Sequence, residues 1–176
     1  MAADERPARG RSDELARVGI LVSGRGSNFL ALHGAMQRGE FPDGIGLVLR
    51  DEPDAAAVEK ARALRLPTVV LPHRREPDRL AHEARVLAAL DRAQVDWVCL
   101  AGYMRVLSGS FVARRRHRIL NIHPSLLPAF PGLAAQRQAL EHGVRISGCT
   151  VHLVDDTLDG GPIVDQRSVP VSGDDS

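Results

Sequence analysis

The sequence predicts an α/β fold, a doubly wound and mostly parallel sheet finished by antiparallel strands, and three observations predict it. Short apolar runs alternate with helix-period segments from Val18 as far as His123, the pattern of strand–helix units joined by right-handed crossovers. The run from Val95 to Ala101 is apolar almost throughout, as a strand covered on both faces must be. After Gly132 the pattern changes to one helix and two strands close in sequence, with a Leu-Asp-Gly-Gly-Pro turn between them. Those strands are expected to be antiparallel additions.

Taken in order, Val18 to Val22 reads as the first strand, and a helical pattern from Phe29 to Arg38 follows the turn Ser-Gly-Arg-Gly-Ser-Asn. Ile45 to Leu49 is a second strand. Ala55 to Arg65 combines good helix formers with apolar residues at helical spacing. Thr68 to Leu71 is a third strand, Asp78 to Arg92 a long helix, Val95 to Ala101 the fourth strand and Arg118 to His123 the fifth. A helix over Ala134 to His142 and strands over Gly148 to Val154 and Ile163 to Val171 complete the chain.

At 176 residues the chain fits one domain able to bury a core without disulfides or metals. The composition, 44% hydrophobic and 26% charged, is that of a soluble protein, and a net charge of +1 gives no electrostatic case for nucleic acid or an anionic membrane. The basic cluster Arg114, Arg115, Arg116 and Arg118 reads as a solvated helix end rather than a phosphate patch. Cys99 and Cys149 lack any ligand spacing and read as buried free thiols of a reducing, cytoplasmic setting. Residues 1–17 carry charges of both signs without the apolar core of a signal peptide, and read as a disordered extension before a single domain over 18–176. No segment is long and apolar enough to span a membrane.

Three constellations point to chemistry. Asn121 and His123 sit two residues apart at a strand end, so both side chains take the same face. Pro124 forbids further pairing, and Pro128 and Pro131 stiffen the exit. An amide and an imidazole there can both donate to an oxygen that gains charge during acyl transfer. The turn Ser23-Gly24-Arg25-Gly26-Ser27-Asn28 opens the first helix, where free amides and the dipole suit a phosphate and Ser27 or Asn28 can cap. It is neither a Walker loop nor a full dinucleotide fingerprint, and a purely structural turn stays open. Among the acidic residues from Asp155 onward, Asp159 stands apart because Gly160 and Gly161 clear space around it. Folded beside the fifth strand, it can orient His123 and favour its cation.

Two further segments are less specific. Met104, Arg105, Val106 and Leu107 follow Gly102 at the end of the fourth strand, and could line a pocket for a flat ring or simply join the core. His152 reads as a packed strand residue near enough to support the site from behind. The remaining histidines are scattered without HExxH or cysteine partners, so no metal is expected.

Together, SGRGSN, AGYMRVLS, ILNIHPSLLPAFPG, RQALEHGV and GCTVHLVDDTLDGGPIV, in that order, closely resemble the phosphoribosylglycinamide formyltransferase family over Val18 to Val171. The resemblance implies a Rossmann-like sheet and transfer of a formyl group from 10-formyltetrahydrofolate, as co-substrate, to the amine of glycinamide ribonucleotide in purine synthesis. It implies Asn121, His123 and Asp159 as the catalytic triad, and Gly26, Ser27 and Asn28 as the phosphate turn. Met104, Arg105, Val106 and Leu107, with Asn121 and Arg79, fall on the folate contacts. Both partners are small molecules, with no nucleic acid or membrane. Two departures stand out: Ala134 replaces a histidine common in the family, and the chain stops before the family's C-terminal helix. Without that helix, apolar surface is expected to lie open near Val164, Val169 and Val171. The alternatives are another folate-dependent formyltransferase or hydrolase, and a non-catalytic folate- or nucleotide-binding remnant.

Overall fold

The computed structural model describes residues 16–24, 26–40, 44–52, 56–173 and 175. They form β1 (Arg17–Val22), α1 (Ser27–Gln37), β2 (Gly44–Arg50), α2 (Ala56–Ala63), β3 (Thr68–Val70), α3 (Arg79–Arg92), β4 (Trp97–Leu100), α4 (Gly109–Arg114), β5 (Ile119–His123), α5 (Ala135–Glu141), β6 (Ile146–Leu153) and β7 (Ile163–Pro170). The strands make one seven-stranded sheet in the order β3-β2-β1-β4-β5-β6-β7. The first five strands are mutually parallel, and β6 pairs antiparallel with both β5 and β7, as the pattern change after Gly132 predicts.

Strand alternation divides the apolar residues between two cores, one on each face. Val18, Ile20 and Val22 of β1 pack with Phe29, Val48, Ala57 and Ala61 under α1 and α2. Leu21 joins Leu49, Val86, Leu90, Val98, Leu100 and Phe111 under α3 and α4. A register shift in the β1–β2 ladder leaves Gly46 opposite no residue, so Ile45 faces the first core and Leu47 the second.

Several details differ from the sequence reading. Arg17, read as the end of a disordered extension, belongs to β1 and donates its amide to Asp96 Oδ2 at 2.8 Å; residues 1–15 lie outside the described residues. The sequence marks only the basic end of helix α4 and not its start, because six residues carry too little periodicity to set its bounds. The helix starts where Ser108 Oγ accepts from the Phe111 amide, and buried Glu83 accepts from the Ser108 amide and hydroxyl. The arginine cluster is only partly solvated. Arg114 and Arg115 both pair with Asp91, Arg115 also donates to the Val95 carbonyl, and Arg118 lies over the Trp97 ring. Val164 and Val169 are more than half exposed, and Val171 is half-buried.

Both cysteines are free and half-buried rather than fully buried. Burial pushes the Cys99 thiol up to about 11, so its thiolate is populated only as pH rises toward that value. Iodoacetamide near neutral pH is therefore expected to leave Cys99 unmodified in the folded chain and to label it after denaturation. Peptide mapping by mass spectrometry checks this, and rapid native labelling would refute it.

Candidate active site

The strand order reverses between β1 and β4, and the crevice at such a switch point is where open α/β sheets bind ligands. Here the chain knits the two strand ends together. The Ser23 amide donates to the Gly102 carbonyl at 3.2 Å, and Ser23 Oγ accepts from the Met104 amide at 3.0 Å. Gly102 has φ +73°, a conformation natural to glycine, which turns the chain away from β4. The end of β5, carrying Asn121 and His123, lies alongside β4.

Because β6 runs antiparallel to β5, its side chains meet those of β5 directly across the ladder. Asn121 stands opposite His152, and His123 opposite Thr150. Asn121 Nδ2 lies 3.1 Å from His152 Nε2. His123 is buried, with Nε2 donating to the Phe130 carbonyl at 2.8 Å and Nδ1 3.3 Å from Asp159 Oδ2. A carbonyl only accepts, so Nε2 carries a hydrogen, and Nδ1 is the nitrogen that faces Asp159. Asp159 Oδ2 also accepts from the Gly132 amide at 2.8 Å, and its Oδ1 lies 3.7 Å from His152 Nε2. The carboxylate thus sits between the two imidazoles.

The proline-rich loop after β5 is braced from below by Thr150, which is fully buried. Its hydroxyl donates to the Ser125 carbonyl and accepts from the Leu127 amide and from Gln166 Nε2 on β7. Ser125 Oγ donates to the Ala129 carbonyl at 2.5 Å, which braces the same loop.

The turn carrying Asp159 depends on its glycines differently from the sequence reading. A Cβ on Gly161 would strike the Leu153 carbonyl oxygen, and one on Gly160 would strike Thr157. They permit close approach of the turn to β6 and to itself, rather than clearing room around Asp159. Asp159 has φ +50°, a region that aspartate tolerates better than most residues. Asp155 is held below the usual carboxylate range by hydrogen bonds from the Thr157 hydroxyl and amide.

At the other end of the crevice, Gly26 caps α1 with φ +77°, and neither Ser27 nor Asn28 caps the helix as anticipated. Both side chains are exposed. Arg50 reaches across to the Gly24 carbonyl at 2.8 Å; Arg25 lies outside the described residues. A Cβ at Gly26 would press on Ala57 Cβ at 2.8 Å, so this glycine serves the packing of α1 against α2 as well as the turn.

Met104 and Val106 are exposed, at 69% and 61%, while Arg105 and Leu107 are half-buried, with Leu107 packed on the α3-side core. The segment is therefore both pocket-like and core-like. The next element, α4, starts close to the Asp159 turn: a Cβ on Gly109 would lie 3.3 Å from Asp156 Oδ1. Beneath the segment, His82 Nε2 and the Tyr103 hydroxyl are 3.4 Å apart. Burial, aided by the charge of Arg105, pushes the His82 imidazole down. Burial, aided by Asp51, pushes the Tyr103 phenol up. Arg79, exposed, begins α3 one turn before His82.

Asn121, His123 and Asp159 thus come together, while Gly26, Ser27, Asn28 and the Met104–Leu107 segment flank them from the β1 and β4 ends. His152, which the sequence places near enough to support the site, and Thr150, which sequence reasoning misses, belong to the same cluster. Their period-two spacing in β6 was a usable signal, once β6 is placed antiparallel beside β5.

Residues 16–176 match the formyl transferase family. The chain is 41% identical over 157 residues to phosphoribosylglycinamide formyltransferase of Escherichia coli, covering 89% of this chain and 74% of that protein. It is 42% identical over 161 residues to the human trifunctional purine biosynthetic protein adenosine-3, covering 92% of this chain but only 16% of that much longer protein. The crystal structure of phosphoribosylglycinamide formyltransferase from Brucella melitensis superposes with a TM-score of 0.87 at 48% identity, over 93% of this chain and 84% of that one. The chain belongs to the formyl transferase family, among its phosphoribosylglycinamide formyltransferases.

Proposed function

We propose that this chain transfers the formyl group of 10-formyltetrahydrofolate to the amine of glycinamide ribonucleotide, in the cytoplasm, as a step of purine synthesis. The observation that carries the reading is the convergence of Asn121, His123 and Asp159 beside the switch point of the sheet. It agrees with the names of the E. coli and Brucella relatives. The ribonucleotide phosphate sits on the amides that open α1, next to Gly26, Ser27 and Asn28. The pterin lies along Met104, Arg105, Val106 and Leu107, with Arg79 toward the outer end of the folate. Holding both substrates in one crevice supplies a large share of the rate.

In the reaction, the amine nitrogen bonds to the formyl carbon and the carbonyl electron pair moves onto oxygen. An Asn121 N–H and the His123 Nδ1–H donate to that oxyanion. Collapse of the intermediate breaks the bond from carbon to N10 of the folate. The proton lost by the amine passes to N10, with the Asp159 carboxylate relaying it through an ordered water. Mixing the chain with both substrates is expected to give formylated ribonucleotide and tetrahydrofolate in equal amounts, read by mass spectrometry. Formate release without formylated ribonucleotide would mark a hydrolase. Binding without turnover would mark a non-catalytic remnant.

The phosphate assignment calls for a variant that leaves packing alone, and Gly26 does not provide one because its substitution presses on Ala57. Asn28 is exposed on the first turn of α1. Asn28→Asp places a negative charge where the phosphate is proposed to bind. The KM for the ribonucleotide is expected to rise about 10-fold, with the KM for the folate unchanged. Steady-state kinetics with each substrate varied in turn checks this, and an equal change in both constants would mean the turn is only structural.

A further inference from the structure

His152 is buried, and no role follows for it from the formyl-transfer steps. Its two ring nitrogens have partners of different kinds. Nδ1 lies 3.0 Å from the carbonyl oxygen of Leu153, which only accepts, so Nδ1 carries the hydrogen. In the neutral ring, Nε2 is then an acceptor. It lies 3.1 Å from Asn121 Nδ2, directly across the β5–β6 ladder. The carboxamide of Asn121 has a donor end and an acceptor end of similar shape, which shape alone does not distinguish. His152 does. An acceptor at Nε2 takes one hydrogen of the Asn121 amide and leaves the other for a substrate oxygen.

The opposite polarity would be damaging. A proton on Nε2 would face the Asn121 amide donor to donor, and would favour the flipped carboxamide with its oxygen toward His152. The same proton would turn toward Asp159 Oδ1, 3.7 Å away, and compete with His123 for the carboxylate. We propose that His152 is a positioning residue for the formyl transfer. As a neutral Nδ1–H tautomer, it holds Asn121 with an N–H free for the oxyanion and leaves Asp159 to His123. This rests on the formyl-transfer reading of the site.

The test is a double-mutant cycle in the full chain with both substrates saturating. His152→Leu removes the acceptor and is expected to lower kcat about 10-fold, part of what a whole oxyanion donor supplies, with both KM values nearly unchanged. His152→Gln, whose amide oxygen can occupy the Nε2 position, is expected to restore most of kcat. In an Asn121→Ala background His152→Leu should cost nothing further, because the group it positions is gone. A loss of equal size with and without Asn121 would overturn the proposal and leave His152 a packing residue. Nitrogen-15 NMR of the unmodified chain gives an independent answer even where a variant misfolds. An unprotonated Nε2 and a protonated Nδ1 are expected, and a protonated Nε2 overturns the proposal. Absence of formyl transfer by the unmodified chain overturns the reading of the site and this proposal with it. Transfer combined with either contrary result overturns this proposal alone.

Discussion

Replacing His123 with alanine is expected to lower kcat by about 100-fold or more, the usual scale for losing one oxyanion donor. Nδ1 is the nitrogen that matters, since Nε2 is committed to the Phe130 carbonyl. Asn121→Ala removes the other proposed donor and is expected to fall in the same range. The two losses need not add, because the residues act on one oxygen. The fold should survive His123→Ala. The Phe130 carbonyl still lies 3.3 Å from Ser125 Oγ, which can donate to it, so the cost should stay near that of one buried hydrogen bond, about 1–3 kcal/mol. Steady-state kcat, with circular dichroism to confirm folding, decides the matter. Turnover close to that of the unmodified chain in either variant would remove it from the catalytic machinery.

These two residues were legible because their relation is local. Two positions on one strand share a face whatever the rest of the fold does, and a following proline marks the strand's end. The parallel sheet was legible for a related reason: strands covered on both faces need continuous apolar runs, and β1, β2 and β4 have them. What escaped was whatever depends on pairing between distant segments. The face that His152 and Thr150 present is set by the β5–β6 register, which couples residues about thirty apart, Asn121 with His152 for example. The start of helix α4 escaped because it is fixed by a glutamate of another helix, Glu83 reaching Ser108. The true constraint on Gly161 escaped for the same reason, since the atom it must avoid belongs to β6.

That constraint sets the second large effect. Gly161→Ala is expected to destabilise the chain and to slow catalysis together. The added carbon would collide with the backbone oxygen of Leu153, and a backbone atom within a paired strand cannot yield as the end of a flexible side chain can. Overpacking of this kind costs about 1–3 kcal/mol, or a fall in Tm of roughly 2–10 °C for a chain of this size. The catalytic consequence follows from what the displaced atoms hold. The Leu153 carbonyl accepts from His152 Nδ1, and the Leu153 amide donates to the Pro162 carbonyl at 2.9 Å, closing the turn that carries Asp159. Moving that carbonyl therefore disturbs His152 and Asp159 at once, and kcat should fall more than the loss of stability alone would cause. Gly44→Ala is the control. Among the described residues nothing lies within 4 Å of its added carbon, and its φ is not positive, so Tm should change little, about 0.5 kcal/mol or less in stability. Thermal melts and kcat measured well below Tm for both variants test the claim. An unaltered Tm and kcat for Gly161→Ala would show that the turn has room to relax, and that Asp159 is not held in place by its approach to β6.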